Sequence, residues 1–159
     1  MKRRLAREIA LQSLYQLEMN DVSPAEAIAM SIHEAQNDNE AKLQVSGDII
    51  SDTYAAELVH GVVGRKPWID RQLASYLKGW QMDRLSRVDR AILRLAAYEM
   101  IFRDDVPAKV VVNEAIELAK HFGSEESGKF VNGVLGKMLS KLSEIKQNRP
   151  TEDQVPDSI

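Results

Sequence analysis

The sequence predicts an all-α protein, and three observations predict it. Apolar residues recur at spacings of three and four through most of the chain, the period of an amphipathic helix. Capping residues, prolines and glycines stand where helices would start and stop. Only one short run, Val110-Val111-Val112, could pass for a buried strand, and no partner strand is available elsewhere.

The elements follow in order. Ala6, Ile9, Ala10, Leu14 and Leu17 place a first helix over residues 4–19. Ser23-Pro24 is a capping Ser followed by Pro at the first helical position, opening a second helix through Ile28 and Ile32 that fades into the polar stretch from Gln36 to Glu40. Residues 52–63 form a third, ended by Gly64; Pro67 opens a fourth, carrying Ile69, Leu73 and Leu77 and closed by Gly79. The longest pattern runs from Asp83 to about Phe102 through Leu85, Val88, Ile92, Leu95 and Ala96. After the Asp104-Asp105-Val106-Pro107 break, the three valines join Glu114 to Phe122 in one helix over 108–122. Gly123 stops it and Ser124 caps a last helix to about Leu142. The expectation is therefore seven helices forming one domain over 1–142, in two bundle halves of about 1–79 and 80–142. A flexible acidic tail, 143–159, would follow.

Composition narrows the function. With 159 residues, 44% of them apolar and 28% charged, the chain can bury a core and is not globally disordered. Cysteine is absent, so disulfides, thiolate nucleophiles and Cys-ligated metals are excluded. That fits a cytoplasmic protein, and no apolar run is long enough to span a bilayer. His33, His60 and His121 lie far apart and share no metal-binding spacing, so no metal and no cofactor is expected. Gly123 to Lys129 matches the first seven positions of a phosphate-binding loop, but Phe130 replaces the magnesium-holding hydroxyl and a helix precedes it. A helix–turn–helix joint is the better reading. No constellation suggests an enzyme.

The net charge of −3 hides an asymmetry: Lys2, Arg3, Arg4 and Arg7 face only Glu8 before residue 18, whereas residues 18–57 hold nine acids and only Lys42. A basic terminus on an acidic body is compatible with nucleic acid. Plotted at 100° per residue, Arg4, Leu11 and Tyr15 form a stripe turned away from the apolar side, with Arg7 beside it. Arginines there would neutralise phosphates and Tyr15 would stack on an unpaired base; by itself the plainer reading is that Tyr15 plugs the core edge and the arginines solubilise a terminus. Arg84, Arg87, Arg94 and Tyr98 mark a second stripe, with Asp83 and Asp89 near its start, suited to a partner of mixed charge. Lys120, Lys129 and Phe130 surround the start of the last helix, where backbone N–H groups favour anions. Gly133 and Gly136, one turn apart, suggest close helix packing.

Three stretches carry a family resemblance: K-R-R-L-A-R-E-I-A-L-Q-S-L-Y-Q-L from Lys2, W-Q-M-D-R-L-S-R-V-D-R-A-I-L-R-L-A-A-Y-E-M from Trp80, and N-E-A-I-E-L-A-K-H-F-G-S-E-E-S-G-K-F-V-N-G-V-L from Asn113. Over residues 2–142 the chain resembles the NusB family of bacterial transcription antitermination factors. The resemblance implies an all-helical fold of two bundle halves. It also implies binding of single-stranded boxA RNA in nascent ribosomal RNA transcripts, with the ribosomal protein NusE as heterodimer partner, in the RNA polymerase elongation complex. By that likeness the RNA surface is Arg3, Arg4, Arg7 and Tyr15, with Lys120, Lys129 and Phe130 near it, and the NusE-facing surface is Asp83, Arg84 and Asp89. The same helical module resembles the N-terminal part of some ribosomal RNA cytosine methyltransferases, but the catalytic Cys those need is missing here. A protein-binding scaffold with an incidental basic terminus is a third reading. A bundle of this kind can also hide a basic face in a homodimer when free.

Overall fold

The computed structural model describes residues 2–40, 52–79 and 81–150, and every regular element among them is helical. In order these are α1 (Lys2–Met19), α2 (Pro24–Glu40), α3 (Asp52–Ala74), a single 3-10 turn (Met82–Arg84), α4 (Arg87–Phe102), α5 (Ala108–Phe122), α6 (Glu125–Ser140) and α7 (Leu142–Gln147). By contact the chain falls into two units, Met1–His60 and Gly61–Ile159.

In the first unit α1 packs on α2. Ala6, Ile9, Ala10 and Leu14 supply the buried face of α1, and Ala27 and Ile28 that of α2. Ser13 is buried among them because its hydroxyl donates to the Ile9 carbonyl at 2.7 Å, leaving no stranded donor. The start of α2 is a reciprocal cap: the Glu26 N–H donates to Ser23 Oγ at 3.1 Å, and the Ser23 N–H to Glu26 Oε1 at 2.9 Å. The Ser23 N–H, then its hydroxyl, hold the Glu26 carboxyl below the usual glutamate range. The cap therefore acts fully above that range and is lost as pH falls through the lowered value.

The two helices expected over 52–63 and 67–79 are one. Pro67 lies inside α3 and cannot donate to the Val63 carbonyl, yet the helix persists. Leu58, Val62, Ile69 and Leu73 stay in phase across Gly64 and Pro67 and are all buried, so burial on one continuous face outweighs the missing bond. α3 does end before Gly79, where Lys78 and Gly79 both adopt positive φ, 42° and 84°.

The second unit is arranged around α4, buried from Ala91 through Ile101 without interruption. α5, α6 and α7 all pack on it. Arg94 and Tyr98, expected on an exposed stripe, are therefore inside. Arg94 is tolerated because Asp70 of α3 receives it in two parallel bonds, Nε to Oδ1 at 2.8 Å and Nη2 to Oδ2 at 2.9 Å. Gly61 is required where it stands, since a Cβ there would overlap the Tyr98 ring. α6 ends at Ser140, and residues 143–150, expected in the flexible tail, are folded. Ile145 is buried, and Lys146 and Arg149 both reach Asp104, at 3.0 and 3.2 Å. These two cations, Arg149 foremost, hold the Asp104 carboxyl below its ordinary range. The expected tail over 151–159 lies outside the described residues.

Asp70→Ala removes the bidentate carboxylate from the buried Arg94 and should cost about 3–5 kcal/mol. Urea unfolding measures it; the double variant Asp70→Leu/Arg94→Met should recover most of the loss. A loss under about 1 kcal/mol in Asp70→Ala would show that the pair does not fasten α3 to α4.

Candidate nucleic-acid interface

The basic start of α1 divides into three different environments. Arg4 is exposed. Arg3 is half-buried, its guanidinium carbon 4.7 Å from the Tyr54 ring centroid, so its charge is shared with an aromatic face of α3. Arg7 is only 5% exposed. It does not stand beside Arg4 on an outward stripe, because the buried sector of α1 is wider than the apolar letters suggest. Leu11, one turn further, is also buried, at 3%. Tyr15 does face outward: it is 37% exposed, and Met19 one turn on is exposed as well. α1 therefore presents a cation near one end and a ring further along, separated by buried Leu11.

The joint between α5 and α6 is built by backbone economy. The Gly123 N–H closes α5 on the Ala119 carbonyl at 2.8 Å, and the Ser124 hydroxyl caps α6 by accepting the Ser127 N–H at 3.1 Å. Gly128 is buried in the first turns of α6, and a Cβ there would stand 2.9 Å from Lys120 Cγ. The missing side chain thus leaves room for the Lys120 stem to cross the start of α6. Lys120 pairs weakly with Glu117 at 3.9 Å and Lys129 with Glu126 at 3.8 Å. Exposed pairs this long hold little energy, so both ammonium groups remain available to an anion. Glu125 and Glu126 occupy the first turn of α6, where acids stabilise the helix end. Phe130 is half-buried. Gly133 and Gly136 do not mediate packing: both are exposed, and an added Cβ would meet nothing within 4 Å among the described residues.

Asp83 and Arg84 precede α4, in the exposed 3-10 turn. Ser86 caps the helix by accepting the Asp89 N–H at 3.1 Å. The Ser86-x-x-Asp89 pattern marks that start in the sequence, one turn inside the continuous apolar pattern expected from Asp83. Arg90 ties turn to helix, donating to the Met82 and Leu85 carbonyls at 3.0 and 3.2 Å. Asp83, Arg84 and Asp89 are thus held on one rigid corner. Asp89 is half-buried, and its Oδ1 is buried with no hydrogen-bond partner. Among the described residues no group of three or more His, Asp or Glu side chains could hold a metal ion, and no helix is long and apolar enough to cross a membrane.

In the second unit Lys120 of α5 passes Gly128, the residue before Lys129 and Phe130 on α6; in the first, Arg3, Arg4 and Tyr15 lie on α1. Comparison with known proteins gives a consistent family. The NusB family pattern matches residues 4–140. The chain is 49% identical to the transcription antitermination protein NusB of Bacillus licheniformis, over 89% of this chain and 99% of that one. It is 43% identical to the Bacillus subtilis protein of the same name, over 91% and 99%. Among solved structures it is similar to T. maritima NusB, with a TM-score of 0.70 at 32% identity over 96% of each chain. It is also similar to a chain in a crystal structure of the antitermination factors NusB and NusE with double-stranded RNA, with a TM-score of 0.72 at 28% identity over 87% of this chain and 96% of that one.

The contrast along α1 is testable by stability alone. Arg7→Ala should lower the unfolding free energy by about 1–3 kcal/mol through lost packing and unpaired neighbours, while Arg4→Ala should stay within about 0.5 kcal/mol of the parent. Equal effects of the two in urea titrations would contradict their different burial.

Proposed function

The chain belongs to the NusB family, whose members are transcription antitermination factors and not enzymes, and on that premise we propose that it binds boxA RNA of nascent ribosomal RNA transcripts together with NusE. The heterodimer joins the elongating RNA polymerase with other Nus factors, in the cytoplasm where transcripts are made. The observation that carries the reading is the exposure of Arg4 and Tyr15 on a helix whose other described positions, Met19 aside, are buried or half-buried. An arginine contributes by releasing counter-ions from a phosphate, and a ring by stacking on a base of any identity. Lys120, Lys129 and Phe130 supply the same two chemistries at the start of α6. Arg3 and Arg7 support the surface from behind, Arg3 through Tyr54 and Arg7 from within.

NusE meets the corner made by Asp83, Arg84 and Asp89. Fixed side chains of both signs suit a partner of mixed charge, and a donor from NusE would answer the unmatched Asp89 oxygen. Free protein self-associates through the basic face that RNA otherwise covers.

The solved relative holds double-stranded RNA. Stacking on Tyr15 requires an unpaired base, so the test uses both forms. Tyr15→Ala should weaken binding of single-stranded boxA RNA by about 1–3 kcal/mol, with an unchanged unfolding midpoint. It should leave duplex binding almost intact. Lost stability with intact binding would return Tyr15 to the core.

Asp89→Lys should act on the protein partner instead. Reversal of a partly desolvated interfacial charge should cost about 2–5 kcal/mol in NusE affinity by calorimetry, while RNA binding by the isolated protein persists. Equal NusE affinity for parent and variant would remove Asp89 from the interface.

A further inference from the structure

The second half of α3 carries a cation that the proposed function leaves unused. The Arg65 guanidinium carbon lies 4.8 Å from the Phe102 ring centroid and 5.7 Å from that of Tyr98. Its Nε is buried without a hydrogen-bond partner, and no carboxylate pairs with it among the described residues. The rings that hold it are themselves fixed. Phe102 stacks on Tyr98 at 5.4 Å and 21°, and Trp68 meets Phe102 edge-on at 5.7 Å and 71°. Asp70 is paired with Arg94 at 2.8 Å and Asp105 with Arg103 at 3.2 Å. Arg65, Trp68 and Arg71 succeed one another at i, i+3 and i+6, on one side of α3; Trp68 is half-exposed and Arg71 exposed.

We propose that this Arg65–Trp68–Arg71 face, backed by Phe102, is a second contact surface for single-stranded RNA. It rests on the RNA-binding reading above and adds a contact in the second unit. A cation steadied by π faces keeps its outer N–H groups free of any protein acceptor, so an incoming phosphate has no internal salt bridge to displace. Arg65 and Arg71 stand about 9 Å apart along the helix at 1.5 Å per residue. That is between two and three phosphate steps of a stacked strand at about 3.4 Å each. The indole between them offers a base a face to stack on, the pairing of basic groove and aromatic platform that single strands use. An acidic protein segment would use the two arginines but leave the indole without a role.

The experiment uses the full chain with Trp80→Phe, which leaves Trp68 as the sole tryptophan of the two in the sequence. Titration with an unstructured 12-nucleotide oligo(A) should quench Trp68 fluorescence saturably. Arg65→Ala/Arg71→Ala should weaken that binding roughly tenfold and flatten the log K against log salt slope by about 1.4, about 0.7 for each phosphate lost. Arg71→Ala alone, at an exposed position, should flatten it by about 0.7 with an unchanged unfolding midpoint. RNA binding with no quenching and an unchanged slope in Arg71→Ala would overturn this surface and leave the RNA function standing. No RNA binding by the parent protein under any salt would overturn both. Quenching by an oligoglutamate peptide but not by oligo(A) would assign the face to an acidic protein and also overturn the proposal.

Discussion

α4 is enclosed on every side from Ala91 to Ile101, and the enclosure includes two charged residues, Arg94 and Glu99. A helix that exposes no face must be covered by its neighbours, and its charges must be met inside. Asp70 meets Arg94 in a bidentate pair, which fixes where the second half of α3 lies against α4. Gly61 lets Tyr98 reach α3, and Phe102 then stacks on Tyr98. α7 covers α4 through Ile145, and Arg149 secures the far end by donating to the Ile101 carbonyl and pairing with Asp104. The second half of α3 and α7 are held on α4 by these contacts.

The functional features of the second unit are surface groups on fixed supports. Lys120 is carried across α6 by the absence of a side chain at Gly128, and Lys129 projects one residue on. Asp83 and Asp89 are locked into one corner by the Ser86 cap and by Arg90. The backbone beneath these groups is already ordered, so less of the interaction is spent on ordering it. Electrostatically the second unit offers cations at the α6 start and along α3, and mixed charge at the α4 start. Separate chemistries on separate elements suit an adaptor that holds RNA and a protein at once.

The sequence was most legible where one local rule acted alone. The Ser23-Pro24 start, the Gly123-Ser124 joint and the α5 span all rest on neighbours within a turn, and each stands as read. It misled where long-range burial outweighed a local signal. Gly64 and Pro67 read as a break, but the buried face of α3 runs through both. Arg7 and Arg94 read as surface cations because their letters are charged; their burial depends on packing and, for Arg94, on an acid far away in sequence. Ile145 looked isolated in a polar tail, and only the packing of α7 on α4 gives it a core. The Arg65–Phe102 contact joins two helices that periodicity cannot orient, so no sequence signal could have found it.

In the proposed assembly RNA and NusE occupy different surfaces of this chain. Photo-crosslinking of 4-thiouridine boxA RNA to the full chain in complex with NusE, followed by peptide mapping, tests it most directly. The account predicts cross-links in the peptides that contain Tyr15 and Lys129-Phe130, and none at Asp83 to Asp89. Cross-links confined to residues 83–89, with Tyr15 and Phe130 untouched, would contradict it.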